Sequence, residues 1–226
     1  MDFKEKKYIS TLYLIAGLFI LSVQTAWAET INIAVLGQSG KKIEMAAVTA
    51  FPVPSVDRPL QQKKTIVDQI DKEYVDFVNV IRRGTSVVFP NHDNIRHHIY
   101  SFSPAKKFEI PLYKEVLPAP VTFDKTGIIS LGCNIHDWMS AFVYVVDTPY
   151  FTKTDSSGQA VLEVPSGVYD LEIWHPRLIG SRKSTRQRVQ IDRGRNEAKS
   201  FVIKLKKLWK PRRGPISSNL GGGGYH

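Results

Sequence analysis

Three side chains that bind transition metals lie within seven residues of one another in the second half of the chain. Cys133, His136 and Met139 follow the spacing Cys-x2-His-x2-Met in the string LGCNIHDWM, and His97 or His98 offers a second imidazole upstream. Soft sulfur ligands favour Cu(I), and imidazole suits copper in both oxidation states. Two imidazoles, one thiolate and a weak thioether are together the donor set of a blue-copper centre. The sequence therefore predicts a copper site whose ligands come mostly from one short loop.

The chain has 226 residues and a single cysteine, Cys133, which narrows the choice of metal site. One cysteine excludes an intramolecular disulfide, a four-cysteine zinc or iron–sulfur site, and haem attachment through Cys-x-x-Cys-His. A binuclear copper centre would need a second bridging cysteine, and zinc would leave the thioether of Met139 unused. The sequence shows no Ser/His/Asp set, zinc-peptidase motif or phosphate-binding loop, so we expect that the protein is not an enzyme.

Short apolar or alternating runs separated by turn residues indicate that the chain is built from β-strands. The sequence contains no heptads, long amphipathic helices or internal repeats. Around the candidate ligands the pattern predicts four strands, at residues 86–89, 99–102, 128–131 and 142–146. The proline-rich segment 103–120 is expected to be a long connection, and residues 68–76 could hold a short helical turn. The ligand loop would then lie between two strands that hold it rigid.

Residues 64–148 resemble a cupredoxin, close to the plastocyanin, pseudoazurin and amicyanin group of blue copper proteins. The likeness lies in the Asn-x-Asp-x3-His run formed by Asn91, Asp93 and His97, and in the Cys-x2-His-x2-Met spacing of the amicyanin type. The strings HHIYSFSPAKKFE, LGCNIHDWM and VVDTPYF are also similar to a bacterial family called methylamine utilisation protein, over nearly the whole mature chain. The resemblance implies an eight-stranded Greek-key β-sandwich that holds one type 1 copper ion near one end.

The resemblance also implies a role for each ligand. Cys133 would be the thiolate, His136 the exposed imidazole through which electrons leave, and Met139 the axial ligand that tunes the reduction potential. Relatives usually carry His-Asn where this chain has His97 and His98, so either histidine could supply the remaining imidazole. Counting along the Asn-x-Asp pattern favours His97, and strand alternation would then turn His97 inward and His98 outward.

Residues 150–206 resemble the carboxypeptidase regulatory-like, transthyretin-type β-sandwich, through the turn TDSSG and the run LEVPSGVYDL. Residues 29–55 have the form of the first two strands of that fold. We therefore expect 29–55 and 150–206 to form one sandwich, with the cupredoxin domain of residues 64–148 inserted between its strands. Two tandem units with an N-terminal hairpin packed on either are the alternative. The predicted fold class is all-β, a cupredoxin sandwich plus a second, smaller β-sandwich.

Residues 1–28 have the layout of a cleavable secretory signal peptide. A positively charged start precedes an apolar run of 12 residues from Leu12 to Val23, and Ala26-Trp27-Ala28 is a small-x-small cleavage site. The run is shorter than the about 20 residues that a transmembrane helix needs. Cleavage after Ala28 is therefore favoured over an uncleaved membrane anchor, and the expected compartment is the periplasm.

Basic residues are concentrated in the carboxyl-terminal quarter. Residues 29–176 hold 14 Lys and Arg against 17 Asp and Glu, whereas residues 177–226 hold 14 against 2. The excess predicts either contact with an anionic partner or membrane surface, or a solvated strand face followed by a flexible basic tail at 207–226. We expect no nucleic-acid partner, because the chain is predicted to be exported and carries no nucleic-acid-binding motif.

The sequence as a whole predicts an exported one-electron carrier with a mononuclear type 1 copper. Its expected partners are redox proteins such as a c-type cytochrome or a periplasmic dehydrogenase. A copper-binding or copper-delivery module without electron transfer is the main alternative, and a structural β protein with a vestigial metal site is the third. Ile135, Trp138 and Phe142 surround the ligand loop and form either a docking patch or core packing beneath the loop.

Overall fold

The computed structural model describes residues 28–56, 59–60 and 63–207. The predicted signal peptide apart from Ala28, and the predicted flexible tail apart from Lys207, lie outside these residues. Within them the chain forms strands and one short 3₁₀ helix at Arg182–Thr185, which confirms the predicted all-β fold class. The described part of the chain contains no helix that is long and apolar enough to cross a membrane.

The strands follow one another along the chain with short connections. In chain order they are β1 (Ala28–Gly37), β2 (Ala47–Val53), β3 (Lys64–Ile66), β4 (Gln69–Ile70), β5 (Glu73–Tyr74), β6 (Val78–Arg82), β7 (Thr85–Val88), β8 (His97–Ser103), β9 (Lys106–Tyr113), β10 (Val121–Phe123), β11 (Gly127–Gly132), β12 (Ser140–Val146), β13 (Tyr150–Lys153), β14 (Gln159–Pro165), β15 (Gly167–Trp174), β16 (Gln187–Ile191) and β17 (Glu197–Ile203).

Strands from the two ends of the described chain form one β-sandwich. One sheet has the order β14-β1-β17 and the other has the order β13-β2-β15-β16. Alternate side chains of β1 point inward, so that Ile31, Ile33 and Val35 are fully buried against Leu171 and Phe201 of the remaining strands. The chain leaves this sandwich after β2 and returns to it at β13.

The intervening strands form a second unit, which carries the candidate ligands. A five-stranded sheet has the order β6-β12-β11-β8-β9, a three-stranded sheet has the order β10-β7-β3, and β4 and β5 form a small hairpin. A buried core that includes Phe89, Ile99, Phe123 and Leu131 fills this unit. Because β8 runs antiparallel to β11, the start of β8 lies beside the end of β11, where the ligand loop begins.

The two units meet through a separate buried cluster. Lys153 of the first unit donates a hydrogen bond to the Val78 carbonyl (2.9 Å) and pairs with Asp76 (3.1 Å) in the second unit. The apolar members of the cluster come from both units and are Ala47, Val78, Tyr144, Val146 and Trp174. The units therefore share buried surface and are not joined by their linkers alone.

Two local sequence predictions are wrong. The segment 103–120 was expected to be a connection, but it contains the eight-residue strand β9, which tolerates Pro111 because it is an edge strand and its register with β8 shifts there. Residues 68–76 form the hairpin β4–β5 and not a helical turn. Its two-residue turn, Asp71 and Lys72, has positive φ angles of 55° and 59°, a conformation that helix-pattern reasoning does not predict.

Candidate metal centre

The ligand loop connects β11 to β12 and is buried at both ends. Cys133 follows the last residue of β11, and Met139 precedes the first residue of β12. Both side chains are buried, and the Met139 amide donates a hydrogen bond to the His136 carbonyl (3.0 Å), which closes a tight turn. The strands thus fix the two sulfur-bearing residues, and the turn between them presents His136.

Three of the predicted ligands converge in space. The ligand atoms of His97, Cys133 and His136 all lie within 4.8 Å of one another. Cys133 Sγ is 3.9 Å from Nδ1 of His97 and 3.8 Å from Nδ1 of His136. An ion about 2.0 Å from nitrogen and about 2.3 Å from sulfur, in a trigonal arrangement, would separate the two atoms by about 3.7 Å. The cluster therefore has the size that one transition-metal ion requires.

His97 is fully buried and is oriented by a carboxylate on its far side. Its Nε2 lies 2.6 Å from Oδ2 of Asp93, so Nε2–H donates to Asp93 and Nδ1 is left with a lone pair facing Cys133. Burial alone would lower the pKa of His97, but hydrogen bonds to Cys133 and Asp93 raise it above its ordinary value. Burial alone would raise the pKa of Asp93, whereas hydrogen bonds from His97 and from two backbone amides lower it. Asp93 is therefore a carboxylate at neutral pH.

The thiol of Cys133 is set up to ionise. Burial would raise its pKa, but the hydrogen bond shared with His97 and hydrogen bonds from the backbone amides of His98 and Ile135 lower the pKa below its ordinary value. The thiolate is the form of cysteine that binds metals. The surroundings of the sulfur therefore favour the ligating form before any metal is added.

His136 is less accessible than the sequence predicted. It was expected to be the exposed imidazole, but only 9% of its surface is exposed, because the ring of Trp138 lies 5.1 Å away and covers it. Trp138 is itself held by a hydrogen bond from its Nε1 to the Lys72 carbonyl (3.2 Å). Burial, and then the nearby His97, lower the pKa of His136, which keeps this imidazole neutral and able to bind a metal.

The alternative histidine lies outside the cluster. His98 Nε2 is 2.8 Å from Glu109 on β9, and its ring stacks near Tyr100. His98 lies on the side of β8 that carries Tyr100, away from the cluster, and only 6% of its surface is exposed.

The apolar residues around the loop divide into two groups. Ile135 is exposed and Trp138 is half-buried, so both reach the surface beside His136. Phe142 packs instead against Phe77 (5.4 Å) and Trp174 (5.9 Å), where the two units meet. Ile135 and Trp138 are therefore placed where a docking patch would lie, whereas Phe142 contributes to core packing.

Two contributors to the site received no role from the sequence. Asp93 was noted only as part of a spacing pattern, and the β4–β5 turn at Lys72 was not connected to the site. The available signal for Asp93 was its position four residues before His97. The turn gave no signal, because its contacts with the site come from residues that lie more than 20 positions away in the sequence.

The donor set fits copper better than other metals. His97, Cys133, His136 and the buried Met139 form a candidate type 1 copper site, since two imidazoles, one thiolate and a thioether are the ligands of such centres. Among the described residues this is the one group of three or more histidine, cysteine or acidic side chains close enough to hold a metal ion.

Solved structures resemble part of the chain. A reduced mutant of amicyanin aligns with 46% of this chain and 100% of its own, at 18% identity and a TM-score of 0.35. A purple cupredoxin from Nitrosopumilus maritimus aligns with 38% of this chain and 100% of its own, at 22% identity and a TM-score of 0.32. A copper-containing nitrite reductase from Thermus scotoductus SA-01 aligns with 43% of this chain and 25% of its own, at 23% identity and a TM-score of 0.36.

No protein-family model matches the sequence, and no curated protein matches it either. The similarity to the methylamine utilisation family and to the carboxypeptidase regulatory-like sandwich therefore stays a prediction, as do the domain boundaries. The assignment of the candidate copper site is therefore based on the residues of this chain and their geometry.

Proposed function

We propose that this chain is an exported, mononuclear type 1 copper protein that carries single electrons between periplasmic redox partners. The observation that carries the proposal is the convergence of the His97, Cys133 and His136 ligand atoms within 4.8 Å of one another in a buried site. Nδ1 of each histidine and Sγ of Cys133 would hold copper, and the buried Met139 would offer its thioether as a weaker fourth ligand. Bound copper would supply a one-electron Cu(II)/Cu(I) couple.

The surroundings of the ligands favour electron transfer over chemistry on a substrate. Strand ends, a tight turn and the hydrogen bond to Asp93 hold the ligand side chains in place. A rigid set of ligands needs little rearrangement when the charge of the metal changes. Burial also keeps water from the ligand atoms, which fits a site that exchanges electrons and does not bind a substrate.

Electrons would enter and leave through His136 and Trp138. The Trp138 ring lies 5.1 Å from the His136 ring, tilted by 52°, and is half-buried, so it connects the buried imidazole to the surface. Three isoleucines are exposed in this unit, Ile70 at the end of β4, Ile95 in the loop before β8 and Ile135 in the ligand loop. A redox partner such as a c-type cytochrome would dock on this apolar surface.

The first test is the spectrum of the mature chain after addition of Cu(II). We expect an intense visible thiolate-to-copper band and a narrow copper hyperfine splitting in electron paramagnetic resonance. Cys133→Ser removes the thiolate, so the band should disappear, whereas His92→Ala alters a histidine outside the cluster and should keep it. An intense band retained in Cys133→Ser would overturn the assignment of the ligand.

The main alternative, copper delivery, gives a different pattern. A protein that only carries copper should hold Cu(I) tightly, show ordinary weak Cu(II) signals and transfer Cu(I) readily to an acceptor. Fast electron exchange between the copper-loaded chain and a c-type cytochrome, monitored by stopped-flow absorbance, supports the electron carrier. Failure of exchange together with ready Cu(I) transfer would favour delivery.

A further inference from the structure

The turn of the β4–β5 hairpin binds a carboxylate from another loop. Asp71 and Lys72 both have left-handed backbone conformations, which aim their amides in the same direction. The Asp71 amide donates to Asp93 Oδ1 (2.6 Å) and the Lys72 amide donates to Asp93 Oδ2 (2.9 Å). Two non-glycine residues with positive φ carry a conformational cost, and these hydrogen bonds offset part of it.

The loop that carries Asp93 is itself braced. Asn91 Oδ1 accepts a hydrogen bond from the Asp93 amide (3.0 Å). Asn91 Nδ2 donates to the carbonyls of Ile95 (2.9 Å) and Tyr113 (3.0 Å), which ties the loop to β9. The position of the Asp93 carboxylate is therefore fixed from its own loop as well as from the hairpin turn.

The same turn is linked to both imidazoles of the metal site. Asp93 Oδ2 accepts from Nε2 of His97 at 2.6 Å, and the side chain of Asp93 is only 10% exposed. On the other side, the Lys72 carbonyl accepts from Nε1 of Trp138, whose ring covers His136. The Asp71–Lys72 turn thus contacts both Asp93, which binds His97, and Trp138, which lies beside His136.

We infer that Asp71, Lys72 and Asp93 form a clamp that positions His97 and lowers the reduction potential of the bound metal. This inference rests on the proposed copper site. A carboxylate that accepts from the far nitrogen of a ligating histidine fixes the tautomer and ring orientation and makes the ligand more basic. Its negative charge, close to a buried site, also stabilises Cu(II) relative to Cu(I). Asp93 is accordingly a positioning residue, because it acts through His97.

Two other histidine–carboxylate pairs in this unit provide a comparison. His92 Nδ1 lies 2.8 Å from Asp68, but the His92 side chain is 63% exposed and is not part of the cluster. His98 pairs with Glu109, whose side chain is 67% exposed. Of the three pairs, the Asp93 pair alone contains a histidine whose ring faces Cys133, so the effect on the metal should be specific to Asp93.

The test compares Asp93→Asn with Asp68→Asn in the copper-loaded mature chain. Asparagine keeps an acceptor oxygen and nearly the same shape, so each variant removes one negative charge from the same region. For Asp93→Asn we expect the preference for Cu(II) over Cu(I) to fall about tenfold, which raises the potential of a one-electron couple by about 59 mV. Asp68→Asn should change that preference less than about twofold, since Asp68 pairs with the exposed His92 and not with a histidine of the cluster. Equal shifts in the two variants, or no shift, would overturn the inference.

A second measurement works without copper. In the metal-free chain, long-range ¹H–¹⁵N correlation spectra should show His97 as the tautomer protonated at Nε2. Asp93→Ala should give a mixture of tautomers, whereas Asp68→Ala should leave His97 unchanged. An unchanged tautomer in Asp93→Ala would refute the clamp whatever the copper spectrum shows. A fixed tautomer in a chain that gives no thiolate-to-copper band would instead refute the proposed function and leave the clamp intact.

Discussion

At the scale of single residues, hydrogen bonds with a few neighbours decide whether the pKa of an ionisable group near the metal site lies above or below its ordinary value. Cys133 is buried and the Asp93 side chain is largely covered, yet hydrogen bonds shared with His97 and hydrogen bonds from backbone amides keep both pKa values below the ordinary ones. His136 is also buried, but no carboxylate of the described residues lies at hydrogen-bond distance from it, and burial followed by the nearby His97 lowers its pKa. The pKa values differ because hydrogen bonds stabilise the charged forms of Cys133 and Asp93, whereas no such bond offsets the cost of burying a charged His136.

His175, far from the metal site in sequence, should make stability depend on pH. Burial, and then the charge of Arg177, lower its pKa to about 4, and its Nδ1 accepts a hydrogen bond from the Arg177 amide (3.1 Å). The unfolded chain, with a histidine pKa near 6.5, binds more protons between pH 6.5 and about 4. Stability should therefore rise with pH through this window and be lost on acidification.

We expect a loss of about 1–2 kcal/mol between pH 7 and pH 5 from this group, measured by chemical denaturation of the metal-free chain. His175→Asn keeps an acceptor for the Arg177 amide but does not titrate, so this part of the pH dependence should disappear. The same slope in the wild type and the variant would show that His175 is not responsible.

At the scale of elements, tight turns with specific side-chain hydrogen bonds set the positions of the strands that they connect. The turn between β13 and β14 is organised by Asp155, whose Oδ1 accepts from the amides of Ser157 (2.8 Å) and Gln159 (2.9 Å). Gly158 in this turn has φ +73°, and its backbone lies against β1. Asp155 and Gly158 thus form a tight turn that carries the chain from β13 in one sheet of the sandwich to β14 in the other.

Gly158→Ala should destabilise the protein for two separable reasons. A Cβ at this position would be strained by the positive φ and would lie 2.8 Å from the Val35 carbonyl oxygen. Gly194→Ala is a matched control, because Gly194 has φ +74° and no atom within 4 Å of the added Cβ. We expect about 1 kcal/mol of destabilisation for Gly194→Ala and about 2–3 kcal/mol for Gly158→Ala, measured by thermal or chemical unfolding. Equal losses would show that the contact with Val35 relaxes without cost.

At the scale of the whole molecule, the two sandwiches are joined by aromatic packing. Trp174 lies 5.2 Å from Tyr144 and 5.9 Å from Phe142, and Arg182 lies over the Tyr144 ring at 5.6 Å. The three aromatic residues come from strands of both units, so the interface is a small core of its own. The metal-binding unit is thereby held on the other sandwich independently of the copper ligands.

Trp174→Ala should weaken this interface and spare the metal site. Removing a buried tryptophan costs about 3–5 kcal/mol, which should lower the thermal midpoint clearly, whereas Val202→Ala at an exposed position should change stability by less than about 0.5 kcal/mol. The thiolate-to-copper band should keep its position, since the ligand loop belongs to a different core. A band lost in the folded variant would contradict this separation.

The basic surplus of the carboxyl-terminal part is partly neutralised within its own sandwich. Arg188 pairs with Asp170 (2.8 Å), and Arg186 pairs with Glu172, whose side chain is buried. Such pairs leave less free charge than composition implies. Contact of this region with an anionic partner or membrane surface stays a prediction.

The sequence by itself determined features that depend on residues close together in the chain. Cys133, His136 and Met139 lie on one loop, so their types and spacing already define a donor set, and the alternation of apolar residues already indicates strands such as β1 and β8. The proline-rich edge strand β9 escaped prediction, because only its place at the edge of the sheet makes Pro111 tolerable.

The tertiary structure alone decided how distant segments meet. It placed His97 and not His98 beside Cys133, buried His136 under Trp138, and brought the Asp71–Lys72 turn to Asp93. The registers that pair β1 and β2 with strands more than 100 residues later are likewise visible only in the structure, since the sequence predicted through a resemblance only that these segments share a sandwich. These contacts depend on burial and on hydrogen bonds between segments far apart in the chain, and no local pattern of residue types records which segments will be neighbours.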